Sequence, residues 1–255
     1  MLRVRGLSVA YGDDPVLENV DLDVEAGEFA TLLGPSGSGK TSVLRAVTGL
    51  LEPSRGEIEM GVESSEVGFL FQDDALLPWR TVVENISLGL RIRGAPAQDA
   101  AEAARGWAAR MRLDSALCER YPAQLSGGQR KRVAIAQVLA LGPRLLLMDE
   151  PFASLDAIVR MRITEELLGW VESEKLTVLL VTHDLEEAIS LSDIVYVLSG
   201  GPRARVRAER HVGIERPRHV LETRRHPRFG PLLAELWDDL GGARAEGATR
   251  GVERP

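Results

Sequence analysis

A single stretch of the chain limits its possible folds more than any other: Gly34-Pro35-Ser36-Gly37-Ser38-Gly39-Lys40-Thr41. Two glycines with four residues between them are followed by lysine and threonine, the pattern of a phosphate-binding loop. Residues 28–33 before it form a short apolar run of strand length. Residues 40–51 after it carry Val43, Leu44, Val47, Leu50 and Leu51 on one helical stripe. Strand, glycine-rich turn and helix in that order let backbone N–H groups converge, because glycine tolerates the turn and the close approach. The helix N-terminus adds a favourable dipole for an anion. Lys40 supplies a compact cation and Thr41 a hydroxyl, so the ligand expected here is a polyphosphate with a divalent cation, Mg²⁺. Lysine otherwise occurs only at Lys131 and Lys175 in a chain whose other basic residues are arginine, so Lys40 stands out.

The chain has 255 residues, which suits one large domain or one domain with an insertion. A hydrophobic fraction of 44% is enough for a substantial core. Net charge is -7, which argues against a nucleic-acid partner. One cysteine, Cys118, cannot form an internal disulfide and reads as a small filler in a reducing compartment. The chain opens without an apolar secretory segment, and no run approaches the ~18 apolar residues of a membrane span. Any work at a membrane is therefore expected from the water side.

Residues 2–10 read as an edge strand, 11–15 as a turn, and 16–24 alternate like a half-exposed strand. Residues 67–71 suggest another strand. About 75–141 is rich in Ala, Arg and Glu with helical spacing, and reads as an inserted helical subdomain. Apolar strands at 145–148 and 176–181 flank a helix at 158–171, as in a parallel sheet covered on both faces. After Ser199 the pattern weakens into an arginine-rich stretch, 203–228, read as a solvated surface or, less favoured, an anion- or membrane-binding segment. Residues 229–240 suggest a short amphipathic helix, and 241–255 a disordered tail.

Two carboxylates, Asp149 and Glu150, end the strand at 145–148 just before Pro151. In open α/β sheets the carboxyl ends of strands face the ligand crevice. Asp149 suits Mg²⁺, and Glu150 suits a general base or a group that positions the attacking water. His183 follows another apolar strand and is the candidate for a γ-phosphate and water contact. Gln72, after the strand at 67–71, offers a neutral amide to the metal or the water.

Leu125-Ser126-Gly127-Gly128-Gln129 precedes a helical run at 133–141. It makes a second helix-start anion site, with a hydroxyl, N–H groups and a dipole end but no lysine. Either the chain binds two anions, or this site serves ATP held by another copy.

The phosphate loop, Gln72, the Ser-Gly-Gly turn, Leu145 through Pro151, Ser154-Leu155-Asp156 and His183 together resemble the ABC ATPases in order and spacing, over about residues 1–240. That resemblance implies an α/β fold: a RecA-like P-loop core with an antiparallel β edge and the inserted helical subdomain. It implies ATP and Mg²⁺ as ligands, with Lys40, Gln72, Glu150 and His183 in catalysis and Thr41, Gln72 and Asp149 at the metal. Nucleotide contacts fall to Tyr11, stacked on adenine, to Val16 beside it, to residues 34–41 with Ser42, and to Gln72 and His183. Across a head-to-tail dimer they fall to Ser126, Gly127, Gly128, Gln129 and Asp156. Thr41-Ser42 reverses the usual Ser-Thr order, and Lys131 and Gln137 stand where Gln and Arg are common.

The stretch from Phe71 through Val82, with Leu76-Leu77-Pro78-Trp79-Arg80-Thr81, is similar to the nitrate, sulfonate and taurine importer branch. Leu76, Leu77 and Trp79 suit either a partner's groove or the helical subdomain's own core. The partners implied are a second ATPase subunit, integral-membrane permease subunits and a periplasmic or lipid-anchored solute-binding protein, at the cytoplasmic face of the membrane. An exporter subunit, or an ABC ATPase acting on nucleic acid or ribosomes, is the alternative.

Overall fold

The computed structural model describes residues 1–248. In chain order the elements are β1 (Leu2–Tyr11), β2 (Asp14–Val24), β3 (Phe29–Leu33), α1 (Lys40–Val47), β4 (Arg55–Met60), β5 (Val67–Leu70), α2 (Val82–Ile92), α3 (Ala97–Arg110) and α4 (Gly127–Leu139). They continue with β6 (Leu145–Asp149), α5 (Ala157–Ser173), β7 (Thr177–Thr182), α6 (Leu185–Leu191), β8 (Ile194–Leu198), β9 (Val206–His211), α7 (Val220–Arg225) and α8 (Phe229–Ala248). The chain divides into two compact units, Met1–Ser64 with Leu168–Pro255, and Ser65–Leu167. The helical stretch expected at about 75–141 thus lies inside a larger unit that also holds β5 and β6.

In the first unit an antiparallel sheet runs β2-β1-β4. Leu2 and Val4, then Leu7 and Val9, are buried with Leu17, Val20, Leu22 and Val24; the period-2 alternation is interrupted between Val4 and Leu7 and between Leu17 and Val20, where the β1–β2 register shifts. Beside β3 lie β7 and β8, both parallel to it, and β9 closes antiparallel on β8. Every residue of β3, β7 and β8 is buried, the signature of strands covered on both faces. Ile189 of α6 and Phe229, Leu232 and Leu236 of α8 pack with Val195 and Val197 of β8 in one core cluster.

Three features of this unit depart from the sequence reading. The helix after the phosphate loop ends at Val47, because Thr48 and Gly49 close it before the apolar pair Leu50-Leu51. Strands β4, β8 and β9 appear where no strand was expected; β8 follows the short α6, and β9 lies in the arginine-rich stretch. That stretch is largely exposed, as read, but several of its arginines also tie it to the rest of the unit. Arg205 bonds Glu18, Arg210 chelates Asp239 at 2.9 and 3.0 Å, and Arg228 Nε donates to the Val212 carbonyl at 2.6 Å. Arg218 is buried and donates to the carbonyls of Ile214, Leu191 and Ser192 and to Asp193; burial lowers its pKa from the ordinary value. Of the tail expected at 241–255, residues 241–248 continue α8 and 249–255 lie outside the described residues.

In the second unit β5 and β6 pair in parallel, from Val67 with Leu145 to Leu70 with Met148. Thr81 and Glu84 form a capping box that starts α2. Ala100, Ala104 and Ala108, spaced by four, form the buried face of α3, and their small side chains let helices approach closely. Arg132 of α4 reaches Glu166 of α5 at 2.7 Å and the Met111 carbonyl at 2.6 Å. Cys118 is buried, as expected of a filler, and desolvation raises its thiol pKa.

One link in the first unit reports on pH. Tyr196 of β8 donates its hydroxyl to the Asp23 carbonyl of β2 at 2.8 Å, and burial pushes its pKa up from 10.0 to about 12. The folded state therefore favours the neutral phenol. Its contribution to stability is complete below pH 10 and is lost as pH rises from 10 through about 12. Urea unfolding midpoints measured from pH 9 to 12 are predicted to fall in this window, and Tyr196→Phe to flatten that part of the fall.

Candidate functional site

The loop 34–41 leaves β3 and enters α1 with Lys40 as the first helical residue. Lys40 is buried, and its Nζ donates to the carbonyls of Gly34 and Pro35, each at 3.0 Å, so the lysine closes the loop around itself. The N-cap of α1 is Gly39, with φ of 90°, and no side chain caps the helix. Ser38 Oγ is buried without a hydrogen-bond partner. A buried hydroxyl with no protein partner, inside a loop of converging amides, fits a site built for an anion.

Gly39 is required twice over. Its φ lies in the left-handed region, and a Cβ there would stand 2.7 Å from Val16 Cγ1 and 2.8 Å from Leu17 Cδ2. Strand β2 thus forms a wall behind the loop, which places Val16 against it. Tyr11 is exposed at the β1–β2 turn, and its Oη shares a hydrogen bond with Ser42 Oγ of α1 at 3.1 Å. The ring is thereby tethered to the helix that the loop begins. Within this unit Gly34, Pro35, Ser36, Gly37, Ser38, Gly39, Lys40, Thr41, Ser42, Tyr11 and Val16 are neighbours. His183 follows β7 and is exposed; Asp184 after it caps α6, accepting from Glu186 N at 3.0 Å and Glu187 N at 3.1 Å. Thr182 Oγ1 donates to Glu187, which pins the turn from the other side.

In the second unit α4 begins at Gly127, earlier than the helical run at 133–141 suggested. Ser126 is its N-cap: Ser126 Oγ accepts from Gln129 N at 3.3 Å, and Gln129 Oε1 accepts from Ser126 N at 2.9 Å. The serine keeps its own O–H to donate outward, while the Gln129 side chain is engaged in the cap. A Cβ on Gly128 would meet Val159 Cγ1 at 2.7 Å, so the helix start packs directly on α5. Asp156 caps α5, its Oδ1 accepting from Ile158 N at 3.1 Å and Val159 N at 3.0 Å. Asp149 ends β6 and is buried. Glu150 follows with φ of 41°, a left-handed conformation for a residue with a side chain. Such a conformation costs about 1–3 kcal/mol and persists where surrounding structure imposes it, often at active sites.

Gln72 is exposed just after β5, and its carbonyl accepts from Lys131 Nζ at 3.2 Å. Trp79 is 70% exposed, whereas Leu76 and Leu77 are half-buried. Asn85, fully buried, holds this loop by accepting from Leu77 N and donating to the carbonyls of Leu77, Arg80 and Thr81. Nothing in the periodicity of α2 singles out Asn85. Lys131 did carry a signal, as one of three lysines in an arginine-rich chain.

Residues 17–153 match the family described as ABC transporter. The chain belongs to the ABC transporter ATPase family. Over 243 residues this ABC ATPase is 44% identical to the aliphatic sulfonates import ATP-binding protein SsuB 1 of Paracoccus denitrificans, covering 93% of each chain. It is 43% identical over 208 residues to the taurine import ATP-binding protein TauB of Escherichia coli O6:H1, covering 79% of this chain and 81% of that protein. Among solved structures, the ATP-binding cassette MJ0796, a dimer in a post-hydrolysis state bound to ADP and Pi, superposes with a TM-score of 0.73 at 30% identity. The match covers 84% of this chain and 100% of that one. The expected α/β fold with an antiparallel β edge and a helical subdomain is the fold observed.

The wall behind the phosphate loop yields a prediction. Gly37 has a φ of 79° but open space at its Cβ, whereas Gly39 has both a positive φ and a blocked Cβ. Gly37→Ala should lose about 1–2 kcal/mol from backbone strain alone. Gly39→Ala should lose about 2–5 kcal/mol, strain plus overpacking, and with it nucleotide binding. Denaturant titration of the two variants, with a fluorescent nucleotide titration alongside, measures the difference.

Proposed function

We propose that this ABC ATPase works as a pair of identical copies, each nucleotide being gripped from two sides. Residues 34–41 of one copy bind the phosphates of ATP, and Ser126, Gly127 and Gly128 of the other cap the γ-phosphate. The observation that carries this reading is the presence in one chain of two helix starts built for an anion, α1 led by Lys40 and α4 led by Ser126-Gly127-Gly128, with the lysine of α4, Lys131, buried and engaged with Asp74 and the Gln72 carbonyl. An anion site with no lysine of its own to offer is intelligible if the charge is already held by the loop of another copy.

The residues divide the work. Lys40 neutralises the phosphates, and the backbone of 34–41 with Ser36, Ser38 and Ser42 surrounds them. The tethered ring of Tyr11 stacks on adenine beside Val16. Thr41, Gln72 and Asp149 offer a hydroxyl, an amide and a carboxylate oxygen, the hard donor set that suits Mg²⁺, and they would hold it. Magnesium, when bound, supplies positive charge that offsets the triphosphate. Glu150, held in its left-handed conformation, takes or orients a proton of the attacking water, and His183 steadies that water and the γ-phosphate. Asp156 extends toward the other copy.

Binding draws the two copies together and hydrolysis releases them, which drives a separate permease. The chain sits against the cytoplasmic face of the membrane. Among the described residues no helix is long and apolar enough to cross one, so the permease supplies the path. Exposed Trp79 belongs to the surface that meets it. The solute is a small sulfonate, taurine or an alkanesulfonate, delivered by a binding protein outside. This rests on the names of the relatives at 44% and 43% identity and on the Leu76-Leu77-Pro78-Trp79 stretch.

Two measurements test the reading. Glu150→Gln should lower ATP turnover by about 100-fold or more while the ATP Kd changes less than about threefold; normal turnover would remove Glu150 from its role. In cells, Lys40→Ala should abolish uptake of labelled taurine or ethanesulfonate; undiminished uptake of both would overturn the solute assignment.

A further inference from the structure

Lys131 is 0% exposed, although lysine is among the side chains least often fully buried. It lies on α4, in the turn after Ser126, Gly127 and Gly128. Its Nζ stands 2.8 Å from Asp74 Oδ1 and donates to the Gln72 carbonyl at 3.2 Å. The Asp74 contact has ion-pair distance without hydrogen-bond alignment at Oδ1. Arg130 brings its Nε within 3.5 Å of the other oxygen, Oδ2. One carboxylate is thus met on both oxygens by consecutive cations of the helix that carries the serine-glycine turn.

The segment these cations hold has no regular structure of its own. Residues 71–81 are neither helix nor strand, and Ala75 within them has a φ of 51°. Asn85 fastens the later part, at Leu77, Arg80 and Thr81. Lys131 fastens the earlier part, at Gln72 and Asp74. An apolar pair of similar volume would fill such a site with equal or greater stability. The ion pair is therefore better explained by where it holds the loop than by what it adds to folding.

We propose that Lys131 is a positioning residue that, through the Gln72 carbonyl and Asp74, fixes the Gln72 side chain relative to Ser126, so that loop and helix start act as one piece. The inference rests on the roles given above to Gln72 and Ser126. It makes no demand on the phosphate loop, so ATP affinity should be spared when the joint is cut.

The test uses the purified full chain and the double variant Lys131→Met/Asp74→Leu, which replaces the charges with apolar groups. Its Tm should stay within about 3 °C of the parent. KM for ATP should stay within about threefold and kcat fall about tenfold or more, the mark of lost positioning without lost binding. Amide exchange at residues 72–75 should quicken about tenfold or more, while α4 keeps its protection. A kcat that stays at the parent value along with Tm, or unaltered exchange at 72–75, would overturn the proposal. Should the double variant not fold, Lys131→Gln keeps a donor but no charge, and the same split of kcat from KM with faster exchange at 72–75 is expected; without that split the proposal fails. Gln72→Ala separates the underlying reading from the joint. Unchanged kcat in that variant would refute the role of Gln72, while exchange at 72–75 would still report on Lys131.

Discussion

A polyphosphate can be held only where many donors point inward at once, and that demand shapes the first unit. The loop at 34–41 turns tightly enough because Gly39 adopts a positive φ and has no side chain to strike Val16 and Leu17. Strand β2 is thus more than a sheet edge, since it is the surface against which the loop is moulded. Lys40 spends two hydrogen bonds on the loop's own carbonyls, at Gly34 and Pro35, and so holds the cradle closed. Tyr11 extends the same logic outward by anchoring its hydroxyl on Ser42.

Buried cations recur elsewhere in the chain, each with its charge accounted for. Arg218 is enclosed by three backbone carbonyls and Asp193, at the junction of α6, β8 and the segment before α7. Its planar group suits several acceptors at once. Lys131, a compact charge, meets a single carboxylate and a single carbonyl. Such groups are costly to leave unpaired, so they define geometry more sharply than an apolar contact does. In the first unit this orders the turn below α6; in the second it orders the loop that bears Gln72.

The parts of the fold that were legible in the sequence are those where local chemistry and tertiary structure agree. The phosphate loop, the apolar strands β3, β6 and β7, and the serine-glycine helix start each carry their signal within a few residues. Strand β9 was hidden because Val206, Ala208 and the arginines around them alternate only weakly, and its pairing with β8 decides its conformation. The arginine-rich stretch is mostly solvated surface, as read, but the ties that its arginines make were hidden because their partners Glu18, Asp193 and Asp239 are distant in sequence. Leu50 and Leu51 extended the helical stripe on paper, but Thr48 and Gly49 end α1 first. At the site, residue types and order were readable, whereas the left-handed Glu150, the Tyr11–Ser42 tether and the Lys131–Asp74 pair are contacts that spacing alone cannot encode.

The central claim is that one nucleotide is completed by two chains, and mixing two crippled variants tests it most directly. Lys40→Ala removes the cation of the phosphate loop, and Ser126→Arg blocks the capping turn, so each alone should be inactive. In a mixed pair one site receives both defects, and the other receives the intact loop of one chain and the intact turn of its mate. The account predicts that mixing equal amounts restores ATP hydrolysis well above the sum of the separate activities. Hydrolysis that stays at that sum, with mixed pairs shown to form, would contradict it.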